Sequence, residues 1–185
     1  AGTSIIGNDI GTLDGASNIG KDGVRILFSN NSVIQSNKIE NTKTVGTGIY
    51  SLFNDGIIIG GVGVENTVNN VGHDGIKVQG GSDAQVLGNF ITNVGRAGVS
   101  FYQTTNATAS GVTQIENSKL WGIWSARNNG LTIENVNING TTVNEGIYSF
   151  DDANLLVGTA VISNTKGTGI YVEYAKTSTE SPSVT

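Results

Sequence analysis

The chain has 185 residues, with 27 glycines, 22 asparagines, one proline and no cysteine or methionine. Glycine and asparagine are poor in helix interiors, which argues against a helical bundle, while a hydrophobic content of 37% argues against disorder. The net charge of -5, and the lack of any apolar run near the roughly 18 residues of a membrane helix, argue against nucleic acid and membranes as partners.

The opening segment SIIGNDIGT predicts two short strands joined by a bend. Ile5 and Ile10 are the expected inward residues, and Thr12 follows them at the next bend. This segment lacks the glycine-led strand that precedes similar pairs later in the chain. We therefore expect the chain to begin in the middle of a repeat.

From residue 23 onward the chain shows an internal repeat of about 24 residues. Its most regular position is a glycine followed by a β-branched residue, and the seven copies are Gly23, Gly48, Gly75, Gly98, Gly122, Gly146 and Gly169. A fixed period of this length is typical of solenoid proteins, in which each repeat stacks on the next. The repeat therefore determines the expected fold.

The residues after each glycine predict a short strand. The first and third positions are apolar or small, which is the period-two pattern of a half-buried strand, so the second and fourth positions should face outward. The outward second position is occupied in chain order by Arg25, Tyr50, Lys77, Ser100, Trp124, Tyr148 and Tyr171. Most of the aromatic residues lie on or next to this face.

About ten residues after each first strand, apolar residues recur in pairs that are five residues apart. The pairs are Ile34/Ile39, Ile59/Val64, Val86/Ile91, Ile133/Ile138 and Val157/Ile162. Each pair predicts two short strands joined by a bend. Asparagine follows the pairs as Asn41, Asn66, Asn93, Asn117 and Asn164. These asparagines predict a buried ladder of amides at one bend, where they could also support a left-handed backbone.

A repeat with two or three short strands, no helix and a recurrent asparagine describes one coil of a parallel β-helix. On these residues the sequence resembles the right-handed parallel β-helix superfamily, which includes pectate and alginate lyases, mannuronan epimerases, polygalacturonases and phage tailspikes. We expect an all-β, single-stranded β-helix of about seven coils over residues 1–175. We expect residues 176–185, which are rich in Thr and Ser, to form a tail or linker, and we expect neighbouring domains in a larger chain.

The resemblance also implies a function for the outward face of the first strands, because polysaccharides bind along this face in the family. Sugar rings present C–H faces that stack on tryptophan and tyrosine. The expected contacts are Tyr50, Tyr102, Trp124, Tyr148, Phe150 and Tyr171. We expect an extracellular polysaccharide-binding or polysaccharide-processing module at a cell or virion surface. The alternative is a structural stalk of a tailspike or adhesin, in which this face packs on other chains, for example in a homotrimer.

A cluster of titratable residues offers candidates for catalysis. A lyase or epimerase acting on a uronic acid must neutralise the carboxylate and move protons, and the candidates are His73, Asp74, Lys77 and Arg96. The alternative is a structural role, since Asp22 and Glu145 occupy the position of Asp74 in other coils. The lyase and epimerase signatures are absent, so an enzyme (a lyase, epimerase or glycoside hydrolase) remains open. We expect no cofactor and assign no metal ligand, with calcium left open.

One further acidic pair, Asp151 and Asp152, resembles the paired aspartates of hydrolases in the superfamily. Water attack on a glycosidic bond needs two carboxyl groups across the bond, and the partner motifs are absent here. Arg127 occupies the position of Asp151 one coil earlier. The sequence therefore favours a surface ion pair between Arg127 and Asp151.

Overall fold

A computed structural model describes residues 2–11, 20–42, 45–111 and 113–173, and the backbone of 183–184. Thr12 and most of the predicted tail, including its predicted boundary at residues 175 and 176, lie outside these ranges. Within them the chain forms short strands, and no helix has the length and apolar character needed to cross a membrane.

The first half of the strands are β1 (Ser4–Ile6), β2 (Asp9–Ile10), β3 (Val24–Leu27), β4 (Val33–Gln35), β5 (Lys38–Glu40), β6 (Ile49–Leu52), β7 (Ile58–Gly60), β8 (Thr67–Val71), β9 (Ile76–Gln79), β10 (Gln85–Leu87) and β11 (Phe90–Val94). The second half are β12 (Ala97–Tyr102), β13 (Thr108–Ser110), β14 (Thr113–Ser118), β15 (Trp121–Ala126), β16 (Thr132–Ile133), β17 (Val136–Thr141), β18 (Ile147–Phe150), β19 (Leu156–Val157), β20 (Ala160–Thr165), β21 (Ile170–Glu173) and β22 (Ser183–Val184).

These strands form three parallel sheets, and each coil adds one strand to each sheet. Sheet A contains β1, β4, β7, β10, β13, β16, β19 and β22; sheet B contains β2, β5, β8, β11, β14, β17 and β20; sheet C contains β3, β6, β9, β12, β15, β18 and β21. The result is a parallel β-solenoid of about 6 turns. The prediction of an all-β parallel solenoid is confirmed, and the predicted number of coils is close to the observed one.

The core lies between the three sheets and is built from stacked aliphatic columns. In sheet A, for example, Ile34, Ile59 and Val86 are in register on neighbouring strands, and all three are fully buried. Each buried side chain of this kind stabilises the fold by about 1.5–3 kcal/mol. Because the register repeats from coil to coil, the apolar periodicity of the sequence becomes a continuous core.

The repeated glycine is required by a close approach between sheets B and C. A Cβ atom on Gly122 would lie 2.6 Å from the carbonyl oxygen of Gly146 in the next coil and would also overlap Cγ2 of Ile138 in sheet B. Equivalent overlaps occur at Gly75 and Gly98. At these positions glycine is required because a side chain would collide with the core, whereas a Cβ on Gly169, directly before the last described sheet C strand, meets no atom of the described residues within 4 Å.

One predicted apolar pair is wrong. Val64 does not pair with Ile59 in the core; Val68 does, and it is fully buried in register with Ile39. The loop after β7 contains extra residues and closes with a hydrogen bond from Val64 N–H to the Gly61 carbonyl. This insertion accounts for the longest glycine spacing in the chain, between Gly48 and Gly75.

The structure differs from the predicted asparagine column in one of its members and in how far its side chains are buried. Its members are Asn41, Asn70, Asn93, Asn117 and Asn164, so Asn70 replaces Asn66. All five have φ between 52° and 57°, which confirms a left-handed bend. The column is not the predicted buried ladder, because Asn70, Asn93, Asn117 and Asn164 are exposed.

A second set of asparagines forms the buried ladder, at the bend between sheets A and B. The amide Nδ2 donates to Oδ1 of the next residue at 3.0 Å from Asn8 to Asn37, from Asn37 to Asn66 and from Asn66 to Asn89. Asn37, Asn66 and Asn89 are buried. We call this set the inner asparagine ladder; it satisfies the backbone where the chain turns inside the protein.

Candidate functional site

The outward face of sheet C carries the residues that the sequence places there. The register aligns the second-position column in the order Arg25, Tyr50, Lys77, Ser100, Trp124, Tyr148 and Tyr171. The inward positions of these strands are buried, as at Ile49 and Ile76. Period-two alternation therefore predicts the register of this column correctly, although Ser100 within it is fully buried.

Five aromatic side chains on this face form a continuous stack, which we call the aromatic ladder. The successive ring centroids are separated by 6.2 Å (Tyr102–Trp124), 6.4 Å (Trp124–Trp121), 5.9 Å (Trp121–Tyr148) and 5.6 Å (Tyr148–Tyr171). These separations are typical of offset packing, in which a ring covers only part of its neighbour. The ladder spans four strands, from β12 to β21.

The polar atoms of the ladder are oriented by partners on neighbouring coils. Trp121 Nε1 donates to Glu145 at 3.0 Å, and the Tyr148 hydroxyl donates to Glu173 at 2.9 Å. Burial and the Glu173 carboxylate raise the pKa of Tyr148 to about 12. The Tyr148 hydroxyl is thus neutral at physiological pH and fixed as a donor to Glu173.

The N-terminal part of the same face is cationic. Tyr50 lies between Arg25, whose guanidinium carbon is 4.9 Å from the ring centroid, and Lys77, whose ammonium is 5.1 Å from it. Arg25 also forms an ion pair with Asp22 at 3.1 Å. Burial lowers the pKa of Lys77, and the nearby charge of Arg96 lowers it further, against the opposing effect of Asp74.

Asp74 is fully buried, and its carboxylate accepts hydrogen bonds from four groups. Its carboxylate contacts Arg96 Nη1 at 2.9 Å, Ser100 Oγ at 3.0 Å, the Ala97 amide at 3.2 Å and His73 Nδ1 at 3.2 Å. Burial alone raises the pKa of Asp74, but the His73 hydrogen bond, the Arg96 charge and the Ala97 amide outweigh it. The pKa of Asp74 is therefore below its ordinary value.

This contact also positions Arg96 on the aromatic ladder. The guanidinium carbon of Arg96 lies 4.7 Å from the Trp124 ring centroid and 5.5 Å from the Trp121 ring centroid. A guanidinium on an indole face is a favourable cation–π arrangement. Asp74 thus connects the cationic part of the face to the aromatic ladder through Arg96.

The structure brings most of the predicted site residues together. Asp74 contacts both His73 and Arg96. Lys77 lies three residues after Asp74, on strand β9. The predicted sugar contacts that belong to the aromatic ladder are Tyr102, Trp124, Tyr148 and Tyr171. Tyr50 is separated from the ladder by Lys77 and Ser100, and Phe150 lies in the adjacent outward column between Ala126 and Glu173.

Trp121 is the ladder residue that the sequence analysis missed. It lies one residue before Gly122, outside the alternating positions that the period-two pattern predicts to face outward, yet its ring contacts those of both Trp124 and Tyr148. The sequence does contain a signal for Trp121: it directly precedes a repeat glycine, as the polar residues Asp74 and Glu145 do in other coils. At that position Trp121 and Glu145 reach the outward face and are hydrogen-bonded to each other, whereas Asp74 is fully buried.

The two aspartates near residue 150 have different environments. Arg127 Nε lies 3.9 Å from Asp151, so the contact favoured by the sequence is present but long. Asp152 is buried and accepts hydrogen bonds from Ser125 Oγ at 2.5 Å, Ser149 Oγ at 2.6 Å and Asn128 Nδ2 at 2.9 Å. Asp152 is therefore a polar member of the core at the bend between sheets C and A.

Among the described residues, no group of three or more histidine, cysteine, aspartate or glutamate side chains is placed so that it could bind a metal ion.

Comparison with known proteins gives one result. The model of the right-handed β-helix region matches residues 47–181, which is most of the chain and includes the aromatic ladder. No curated protein and no solved structure matches. The match agrees with the three parallel sheets and the repeated coils. The chain belongs to the right-handed β-helix family.

Proposed function

We propose that this β-helix binds an extracellular polysaccharide along the outward face of sheet C, at a cell or virion surface. The observation that carries the proposal is the aromatic ladder, which runs across four neighbouring strands on the outer surface of the solenoid. Tyr171 is exposed and the other four rings are half-buried, and a contiguous cluster of accessible apolar rings marks a surface for a partner. Tyr102, Trp124, Tyr148 and Tyr171 are the proposed contacts, with Tyr50 and Phe150 at the margins.

The geometry of the ladder suits an extended chain of sugars. Neighbouring strands are about 4.8 Å apart, so the ladder presents ring surface along about 14 Å of the solenoid axis. Offset packing leaves part of each ring uncovered, and Tyr171 at the end of the ladder is 43% exposed. Because each ring is partly covered by its neighbour, a ligand that lies across several rings fits this surface better than a ligand that stacks on a single ring.

We limit this proposal to binding because of the environment of Asp74. A general base must come within hydrogen-bond distance of the substrate proton, whereas Asp74 is fully buried and bonded to four protein groups. His73, with a side chain that is 38% exposed, and Lys77 are the accessible members of the cluster. A processing activity through His73, Asp74, Lys77 and Arg96 stays a prediction.

Affinity electrophoresis in gels containing acidic or neutral polysaccharides tests the proposal. Trp124→Ala and Tyr148→Ala should each weaken retention about tenfold on the polysaccharide that retains the wild-type protein. Phe90→Ala is the matched control, because Phe90 is an exposed aromatic residue on sheet B. Equal retention of all four proteins on every polysaccharide would overturn the proposal.

A structural stalk is the second candidate, and the Phe28–Phe53 pair favours it. These rings stack at 5.5 Å, and Phe28 is 74% exposed. Both residues have positive φ, of 50° and 53°, which is costly for a bulky side chain. Such a pair on the surface is suited to packing against another chain. Sedimentation separates the candidates, since a stable trimer supports the stalk and a monomer supports the binding module.

A further inference from the structure

Lys77 is a half-buried cation without a carboxylate in contact. Among the described residues its ammonium has no hydrogen-bond or ion-pair partner, and its neighbour is the Tyr50 ring at 5.1 Å. The nearby carboxylate of Asp74 is already engaged by four other donors. A partly desolvated ammonium of this kind gains free energy when an anion binds to it.

Arg96 has donors to spare on the same part of the face. Its contacts with Asp74 use Nη1, and the remaining guanidinium N–H groups have no partner in the described ranges. The stack on Trp124 and the bond to Asp74 hold the guanidinium in place, which reduces the entropy lost when a ligand binds. Ser100, on the strand between Lys77 and Trp124, points its hydroxyl to Asp74 and contributes no charge.

The C-terminal part of the face has the opposite charge. Glu145 accepts from Trp121, and Glu173 accepts from Tyr148, so two carboxylates border the second half of the aromatic ladder. Their proximity disfavours an anionic group at Tyr148 or Tyr171, because like charges repel. Charge therefore changes sign along the direction in which the proposed glycan would lie.

We infer that Lys77 and Arg96 bind one carboxylate or sulfate group of a glycan, and that the sugars next to it, over the C-terminal part of the aromatic ladder, are uncharged. This inference rests on the proposed function for the position of the glycan. It names an anionic substituent on an otherwise neutral segment, and it argues against a polymer with a charge on every sugar.

The anion site can be tested with monosaccharides, without knowing the natural glycan. The two tryptophans of the chain, Trp121 and Trp124, both contact Arg96, so their fluorescence reports on this site. Glucuronic acid and glucose 6-sulfate are titrated at constant ionic strength, with glucose as the neutral control and calorimetry as a second readout. Both anions should bind more tightly than glucose, and whichever binds more tightly identifies the source of the negative charge.

Lys77→Gln should weaken binding of the anionic sugars about tenfold and leave glucose unaffected. Lys38→Gln is the matched control, because Lys38 is a lysine on sheet B that is paired with Glu40 at 2.9 Å. Unchanged anion binding in Lys77→Gln, or equal binding of glucose and both anions, overturns the inference. If retention on polysaccharides still depends on Trp124 and Tyr148, the proposed function survives that failure; anion binding with no such retention would instead leave only the anion site.

The neutral segment is tested on polygalacturonate, a polymer with a charge on every sugar. If Glu145 and Glu173 oppose such a chain, the double variant Glu145→Gln/Glu173→Gln should be retained several-fold more strongly than the wild type in affinity electrophoresis. Equal retention of the two proteins would contradict the part of the inference that concerns neutral sugars.

Discussion

Arg96 Nη1 lies 2.9 Å from Oδ2 of Asp74, and the contact joins two neighbouring coils through residues that are 22 positions apart in sequence. Asp74 is fully buried, while the Arg96 side chain keeps 21% of its surface exposed and rests on Trp124. A buried carboxylate thus holds a cation at the surface. This arrangement links the stability of the central coils to the geometry of the candidate binding face.

The first prediction concerns Asp74→Asn. The substitution removes the charge that Arg96 and His73 face, so at pH 7 it should lower the free energy of unfolding by about 3 kcal/mol. The pKa of Asp74 in the folded state lies below its unfolded value of about 3.9. The ionised group therefore stabilises the fold above that unfolded value, and the stabilisation is lost as the pH falls through the folded pKa.

Urea denaturation between pH 7 and pH 2 measures this effect. The difference between the wild type and Asp74→Asn should shrink as the pH falls, because the wild type loses its advantage when Asp74 is protonated. Asp9→Asn, which removes an exposed carboxylate on an edge strand, is the control for the loss of one charge. A difference that is constant across this pH range would show that Asp74 does not act through its charge.

The second prediction concerns the glycine column. Gly122→Ala should destabilise the protein by about 2–3 kcal/mol, because the new methyl group would meet the Gly146 carbonyl and Ile138. Gly169→Ala is a control in the same column, since a Cβ there has no atom of the described residues within 4 Å. The Gly169 variant should stay within about 0.5 kcal/mol of the wild type or be slightly more stable. Equal destabilisation by both substitutions would contradict the steric explanation.

The sequence predicts the sheets well because the forces that define them are periodic. Burial at every second position and glycine at every close approach repeat with each coil, so the columns from Arg25 to Tyr171 follow from spacing alone. The same rule fails at Val64, where an insertion shifts the core position to Val68. The long spacing from Gly48 to Gly75 signals extra residues, but it does not locate them within the coil.

The assignment of the asparagines shows a second limit. Asn37 and Asn41 lie four residues apart at two successive bends, and the first is buried while the second is not. One bend needs a residue that tolerates a left-handed backbone, and the other needs a side chain that forms hydrogen bonds with buried backbone groups. Asparagine suits both, so the residue type alone does not tell the two bends apart. A signal existed, since asparagine follows Ile5, Ile34 and Val86 at the third position.

The third prediction concerns the inner asparagine ladder. Asn66→Ala removes the acceptor of the Asn37 amide and the donor to the Ile34 carbonyl, both in the interior. Buried groups without partners cost about 1–3 kcal/mol each, so the variant should lose about 3 kcal/mol. Asn70→Gly, in the exposed left-handed column, should change stability by less than about 0.5 kcal/mol because glycine accepts that backbone. Urea denaturation compares the two, and a smaller loss for Asn66→Ala than for Asn70→Gly would contradict the ladder.

The fourth prediction concerns Tyr148, whose pKa is raised to about 12 by burial and by the hydrogen bond to Glu173. Because the folded value lies above the unfolded value of about 10, the neutral hydroxyl stabilises the fold fully below pH 10. That stabilisation is lost as the pH rises towards 12. Absorbance titration of tyrosinate, compared with a Tyr148→Phe variant, isolates this residue.

Glu173→Gln should lower the pKa of Tyr148 towards its ordinary value without restoring it fully, because burial is the larger cause and is unaffected. Glu134→Gln, which removes an acid outside the outward face of sheet C, is the control. The Glu134 variant should titrate like the wild type, since Tyr148 interacts with Glu173 and Glu145 on its own face. A titration that is the same in the wild type and in Glu173→Gln would show that the hydrogen bond to Glu173 does not fix the Tyr148 hydroxyl.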